Sequence, residues 1–243
     1  MAKLIPIRKP HMAFQAPPGL THGNMGAPVR IVLHDTESHD EKGIGDISGI
    51  VAFWLRGPDK LGAHFIVDAE GNVGQCGEPD ELMFHTGGAN TGSVGIEQVG
   101  FASFTKKTWE SRPDQLMKVA KLLAWLNDEY GIPLRVSTVH GISTHAMQSK
   151  IHPESMGHTD PGANYPLDEV IAIAKGFKDA GGWPPDNQAA TKPKRQRHVY
   201  HITYTDRKRT KKTIVNHSPG LWLAAHPRAK HRGDVLIHPV PAK

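Results

Sequence analysis

The chain has a single cysteine, Cys76, and that scarcity removes several chemistries at once. One thiol cannot form an intramolecular disulfide framework, nor a zinc site built from several thiolates. Long apolar runs are missing as well: none approaches the ~18 residues that a membrane-spanning helix requires. The N-terminal stretch Met1-Ala-Lys-Leu-Ile-Pro-Ile-Arg-Lys-Pro10 carries early positive charge but no continuous apolar core after it, so no signal peptide is read there. The expectation is synthesis in the cytoplasm, with some other route of release if the protein acts outside. Hydrophobic residues at 38% and charged residues at 22% fit a soluble globular chain.

What is abundant is histidine, with 16 copies in 243 residues, so nitrogen donors are plentiful where thiols are not. Glycine (25) and proline (19) imply many turns and loops. Charge is unevenly placed. Of 29 Lys+Arg and 24 Asp+Glu, residues 191–243 hold 13 and two, which leaves 16 basic against 22 acidic residues for the rest. A mildly acidic body with a strongly basic tail points to two modules.

Residues 1–27 show no periodicity and read as an arm. Val29-Arg-Ile-Val-Leu33 reads as a buried strand that delivers His34 at its end. Ile47, Ile50, Val51, Trp54 and Leu55 follow helical spacing up to Gly57-Pro58. Residues 64–68 and 73–76 read as a hairpin, with Cys76 a small buried hydrophobe. The glycine-rich stretch 84–92 lacks the Lys-Ser/Thr ending of a phosphate loop. Residues 93–99 form a strand with Glu97 among apolar neighbours, where strand alternation leaves open which face the carboxylate takes. Pro113 to Tyr130 is the clearest helix, with Leu116, Val119, Ala120, Leu123, Leu126 and Tyr130 as its buried stripe. Residues 134–139 read as another strand, 140–162 as a long polar connection, and 168–178 as a last helix. The expected fold class is α/β, a mixed central sheet flanked by helices, with a small basic β-rich C-terminal appendage. The expected domains are the arm (1–27), a catalytic domain (28–182), a linker (183–197) and the basic region (198–243).

In Gly157-His-Thr-Asp-Pro-Gly162, His158 precedes Asp160 by two residues, and Pro161-Gly162 then turns the chain. Residues two apart in an extended segment share a face, so the two side chains can converge on one centre. An ordinary surface turn is the plainer reading of those residues alone. Zinc hydrolases use three protein ligands and leave a fourth position for water. His34 at a strand exit, a histidine from the 140–152 stretch, and Asp160 would supply two nitrogens and one oxygen. Their separation in sequence makes this spacing weak evidence by itself.

Taken together the motifs are more specific. Ile31-Val-Leu-His34, Ala63-His-Phe-Ile-Val-Asp68 with Gly71 and Gln75, Phe84-His85 with Gly87, Ser93-Val-Gly-Ile-Glu97, and Gly157-His-Thr-Asp-Pro-Gly162 occur in that order. Over residues 28–180 the chain resembles a zinc-dependent N-acetylmuramoyl-L-alanine amidase of the peptidoglycan-recognition-protein fold, in the form found in phage endolysins. The resemblance implies a Zn2+ cofactor on His34, His145 and Asp160, with His140 the alternative second histidine and His152 a third. It implies Glu97 as the catalytic acid and base, and His158 as oxyanion partner, where many family members have a lysine. His64, His85 and Thr86 fall to the substrate groove. The implied reaction is cleavage of the bond between N-acetylmuramic acid and L-alanine by a zinc-activated water, acting on the bacterial cell wall after release. A non-catalytic peptidoglycan-binding module and a cytoplasmic muropeptide-recycling amidase are the alternatives.

In the tail, residues 198–216 alternate and then carry a cationic cluster, which reads as a hairpin with a basic tip. Leu221-Trp-Leu223 and Val235-Leu-Ile237 would add a little core. The preferred partner is anionic cell-wall polymer, reached by long-range attraction. Nucleic acid is the less favoured rival.

Overall fold

The computed structural model describes residues 4–155 and 157–183, together with the backbone of three strands within 200–231. In chain order the first unit contains β1 (Phe14–Gln15), β2 (Arg30–Asp35), α1 (Ile44–Arg56), β3 (Phe65–Val67), β4 (Val73–Gln75) and β5 (Ser93–Gln98). There follow α2 (Lys106–Glu110), α3 (Pro113–Tyr130), β6 (Gly141–Thr144), α4 (His145–Ser149) and α5 (Leu167–Ala180). The six strands form one sheet in the order β1-β4-β3-β5-β2-β6. Only β3 and β4, the expected hairpin, pair antiparallel; every other neighbouring pair is parallel.

The period-two alternation of the strands sorts the residues between two faces. Ile31, Leu33, Phe65, Val67, Val94, Ile96 and Ile142 point to one side, where α3 and α5 cover them. Ile66 and Val99 point to the other and meet Ile47 and Val51 of α1, with Leu20 and Met83. This parity answers the question left open for Glu97. Its neighbours Val94 and Ile96 fill the α3/α5 core, so Glu97 projects from the α1 face.

α3 spans the residues expected of it, with Pro113 at its start and Gly131 at φ 70° closing it onto the Asn127 carbonyl. Its burial extends beyond the expected stripe to Leu122, Ala124 and Trp125, because α5 and Trp183 cover flanks that periodicity alone leaves to solvent.

The strand expected over 134–139 does not form. Val136 and Val139 are 44% and 67% exposed, and only a single bridge, Val136 to Ile142, joins that stretch to the sheet. The strand instead is β6, whose four residues are all buried and pair with β2 from Arg30 to Leu33. Gly141, at φ +147°, lets the chain fold back so closely that a Cβ there would collide with the Arg135 carbonyl. The connection that follows is also more ordered than a polar loop, since α4 starts at once with Thr144 Oγ1 accepting from the Met147 amide.

The N-terminal arm adds β1 to the sheet edge, and Ile5 exchanges two backbone hydrogen bonds with Trp183 (2.9 and 3.0 Å). Trp183 is 4% exposed and packs edge-on against Phe177.

The chain divides into two compact units, Met1–Pro185 and Asp186–Lys243. In the second, β7 (Tyr200–Asp206) pairs antiparallel with β8 (Arg209–Val215), and β9 (Lys230–His231) lies on the other side of β7. The hairpin tip and the apolar segments 221–223 and 235–237 lie outside the described residues. No helix of the described residues is long and apolar enough to cross a membrane.

Candidate active site

The adjacent parallel strands β5, β2 and the edge strand β6 end at one level. His34 on β2 is the direct register partner of Glu97 on β5. On the other side Leu33 is paired with Thr144, so His145 leaves β6 beside His34. Carboxyl ends of adjacent parallel strands are where open α/β sheets place their ligands. The loop after α4 closes the site from above. The Asp160 carbonyl accepts from the Ala146 amide (3.0 Å), and the Asp160-Pro161 bond is cis.

His34, His145 and Asp160 converge so that one donor atom of each lies within 4.8 Å of the others. His34 Nδ1 stands 3.0 Å from Asp160 Oδ2 and 3.1 Å from His145 Nδ1, and His145 Nδ1 is 3.2 Å from Asp160 Oδ2. All three residues are buried. Two imidazole nitrogens facing each other beside a carboxylate, shielded from water, can hold a cation between them. Two nitrogens and one oxygen are a zinc donor set with room for a further ligand, so the residues fit that metal.

The charges around this cluster are crowded. Burial would raise the Asp160 carboxyl, but hydrogen bonds from His145 and His34 outweigh it and hold the group well below the usual range. Burial pushes Glu97 well above its ordinary value, reinforced by the charges of Asp160 and Asp35, and Glu97 Oε2 is buried without a hydrogen-bond partner. Burial also raises Asp35 to about 7, although its Oδ1 accepts from the Glu37 amide.

The His158 ring lies flat on His145, with centroids 4.1 Å apart and planes at 11°. Its Nδ1 is 3.4 Å from Asp160 Oδ1, and 55% of the side chain is exposed. His85 places Nδ1 3.0 Å from His34 Nε2. Thr86 lines the cleft beside it, with its carbonyl accepting from Ser155 Oγ.

His64 does not line the cleft, which corrects its assignment to the substrate groove. It is fully buried, with Nδ1 accepting from the Gly95 amide (3.0 Å) and Nε2 donating to the Glu81 carbonyl (2.9 Å). His140 sits exposed on the turn before β6, apart from the cluster, its amide donating to Ser137 Oγ. His152 faces Glu154 at 3.6 Å and is not in the cluster either.

His34, His85, Glu97, His145, His158 and Asp160 line a cleft of about 1130 Å³ that runs along α1. Helical periodicity alone does not mark α1 as a wall of the cleft. Ile50 and Trp54 have the spacing of a core stripe yet also line the cleft, and the sequence signal for this wall is Phe53, an apolar residue off that stripe that is 68% exposed there. Asp35, next to His34, also lines the cleft.

The family described as N-acetylmuramoyl-L-alanine amidase (Amidase_2) matches residues 24–163. Among solved structures, the Staphylococcus aureus hydrolase AmiA, in complex with its ligand, superposes with a TM-score of 0.55 at 17% identity, over 73% of this chain and 89% of that one. A selenomethionine AmpD derivative gives 0.50 at 18%, over 66% and 93%. The amidase LysC from Clostridium intestinale gives 0.49 at 19%, over 69% and 99%. At these identities the likeness to AmiA and AmpD attests the fold. No curated protein matches the sequence.

Proposed function

The chain belongs to the N-acetylmuramoyl-L-alanine amidase family, and from that premise we propose that it cleaves the lactyl amide between N-acetylmuramic acid and L-alanine with a zinc-activated water. The observation that carries this reading is the buried convergence of His34, His145 and Asp160 next to a desolvated carboxylate, Glu97.

The three clustered side chains would hold the metal. When bound, zinc would acidify a water, polarise the amide carbonyl and offset the crowded charges of Asp35, Glu97 and Asp160. Glu97 takes the proton from the attacking water and later gives it to the departing L-alanine nitrogen. Its place at the end of β5, in register with His34, suits it to carry that proton between the two steps. His158, held against His145 with its far edge open to the cleft, donates to the oxyanion as the carbonyl becomes tetrahedral. The walls formed by α1 and by the loop around Thr86 orient the glycan and the peptide stem.

An endolysin-like role, lysis of a bacterial cell wall, is the biological setting that fits best. The basic 191–243 region, with 13 Lys+Arg against two acids, would hold the enzyme on anionic wall polymers.

The test uses mass spectrometry of peptidoglycan digests with and without chelator. Free peptide stems released from intact glycan, only with metal, are expected; cut glycan strands or cut cross-bridges would overturn the reading. Glu97→Gln should keep one bound zinc and lose roughly 10²–10⁴-fold in rate. A fully active Glu97→Gln enzyme would remove Glu97 from the mechanism. Digestion of intact sacculi separates the wall role from muropeptide recycling.

A further inference from the structure

His34 is 1% exposed, so the proton on whichever ring nitrogen does not serve the cluster cannot be satisfied by bulk water. Its Nδ1 faces Asp160 and His145. A lone pair at Nδ1 places the hydrogen on Nε2, and a buried N–H without an acceptor is costly. The atom facing Nε2 is His85 Nδ1, at 3.0 Å. We propose that His85 is a positioning residue, whose Nδ1 accepts the Nε2 hydrogen of His34 and so fixes the ring orientation and tautomer that turn His34 Nδ1 to the metal. The inference rests on reading His34 as a metal ligand.

The surroundings leave His85 only one compatible tautomer. Its Nε2 lies 3.4 Å from the Ser93 carbonyl, which can only accept, so Nε2 carries the hydrogen and Nδ1 the lone pair. The ring is held from several sides. Asn90 Oδ1 accepts from the amides of His85 (2.9 Å) and Thr86 (2.7 Å), which pins the loop. Behind the ring His64 stands edge-on at 5.7 Å, itself fixed through both nitrogens. The seat is Gly95: a Cβ there would come within 2.8 Å of His85 Cγ and Nδ1. A glycine inside a strand weakens it, and here it admits an imidazole against the backbone of β5.

The chemical choice of acceptor also makes sense. Ligating histidines commonly donate their second N–H to a carboxylate or a carbonyl. A carboxylate at this position would add a further negative charge to a site that already holds Asp35, Glu97 and Asp160. A neutral imidazole accepts the hydrogen without that repulsion. Among the described residues, His145 Nε2 has no hydrogen-bond partner.

The experiment measures zinc affinity of the full chain by competition with a chromophoric chelator, for the wild type, His34→Ala, His85→Leu and His85→Asn. Asparagine sets its Oδ1 close to the place of Nδ1 and keeps the acceptor; leucine fills the space without one. His85→Leu should bind zinc roughly 10–100-fold more weakly, with His85→Asn within about threefold of the wild type. Equal affinity of His85→Leu and wild type, or equal losses in the leucine and asparagine variants, would overturn the proposal. Ring nitrogen–proton NMR of the zinc-loaded wild type needs no substitution: it should show His34 protonated at Nε2, and a His34 protonated at Nδ1 would sink the idea even if His85→Leu failed to fold. A wild type without tight zinc binding, or His34→Ala binding as well as the wild type, would instead remove the ligand assignment beneath it.

Discussion

His64 spends both ring nitrogens on backbone partners, which commits it to the neutral form. Burial lowers it to about 4 from an ordinary 6.5, against a smaller pull from the Glu81 carbonyl. Above pH ~6.5 neither the folded nor the unfolded chain protonates this group, so it adds no pH dependence there. Between ~6.5 and ~4 the unfolded chain takes up a proton that the folded chain refuses, and stability falls as the pH falls. His64→Gln should destabilise the metal-free protein near neutral pH, by about 1–3 kcal/mol through the lost hydrogen bonds. That penalty should shrink by about 2 kcal/mol between pH ~7.5 and pH ~5, because the variant no longer opposes the proton. Urea unfolding at the two pH values measures it, and a pH-independent penalty would rule out a neutral, buried His64. The case also marks what a sequence shows at this scale. His34, Glu97 and Asp160 stood out because each is a polar group at a strand end, inside an apolar strand, or just before a forced turn. His64 looked similar in its strand. Only the covering loop through Glu81, distant by 17 positions, decides that it faces backbone and not substrate.

Elements set the precision of the site more than any single side chain does. Three parallel strands bring His145, His34 and Glu97 to a common edge through backbone pairing alone. Asp160 comes from a loop, and its place depends on how that loop lies against residues 100–102. Gly162, at φ +89°, passes so near the Ala102 carbonyl that a Cβ would collide with it. Gly162→Ala should therefore cost about 1–3 kcal/mol of stability, from left-handed strain and overpacking. It should also weaken zinc binding, since Asp160 lies two residues upstream. Gly176→Ala is the control: it is on α5 with nothing within 4 Å of its would-be Cβ. There the change should raise the melting temperature slightly, worth up to about 1 kcal/mol. Thermal melts and chelator competition on both variants give the comparison, and an unchanged zinc affinity for Gly162→Ala would show that the loop tolerates displacement. Helices α3 and α5 and strands β2 and β5 were legible because period and punctuation agreed along their length. The shift from 134–139 to β6 was not, because apolar composition favours the earlier stretch and only the tight fold-back at Gly141 chooses the later one.

At the scale of the whole molecule, the charge asymmetry read from composition coincides with a division of the chain into Met1–Pro185 and Asp186–Lys243. Among the described residues, the sheet of six strands and both apolar clusters belong to the first unit. The sequence left one thing out here, the part played by the arm. Its apolar residues have no period, yet Ile5 bridges to Trp183 and β1 extends the sheet, so the unit is closed by its own two ends. A truncation must keep Trp183 for that reason, and the cut belongs after Pro185. The shortened protein should bind zinc and hydrolyse soluble muropeptides at a rate within a few-fold of the full chain. On whole walls it should bind more weakly, because the strongly basic region is gone. The full chain's wall binding should also fall as salt rises, since screening shortens the reach of charge from about 10 Å at 0.1 M to about 3 Å at 1 M. Co-sedimentation with purified walls across a salt series, with both proteins, separates the contributions. Wall binding that survives the cut and ignores salt would assign recognition to the cleft along α1, and leave the basic region without a part in targeting.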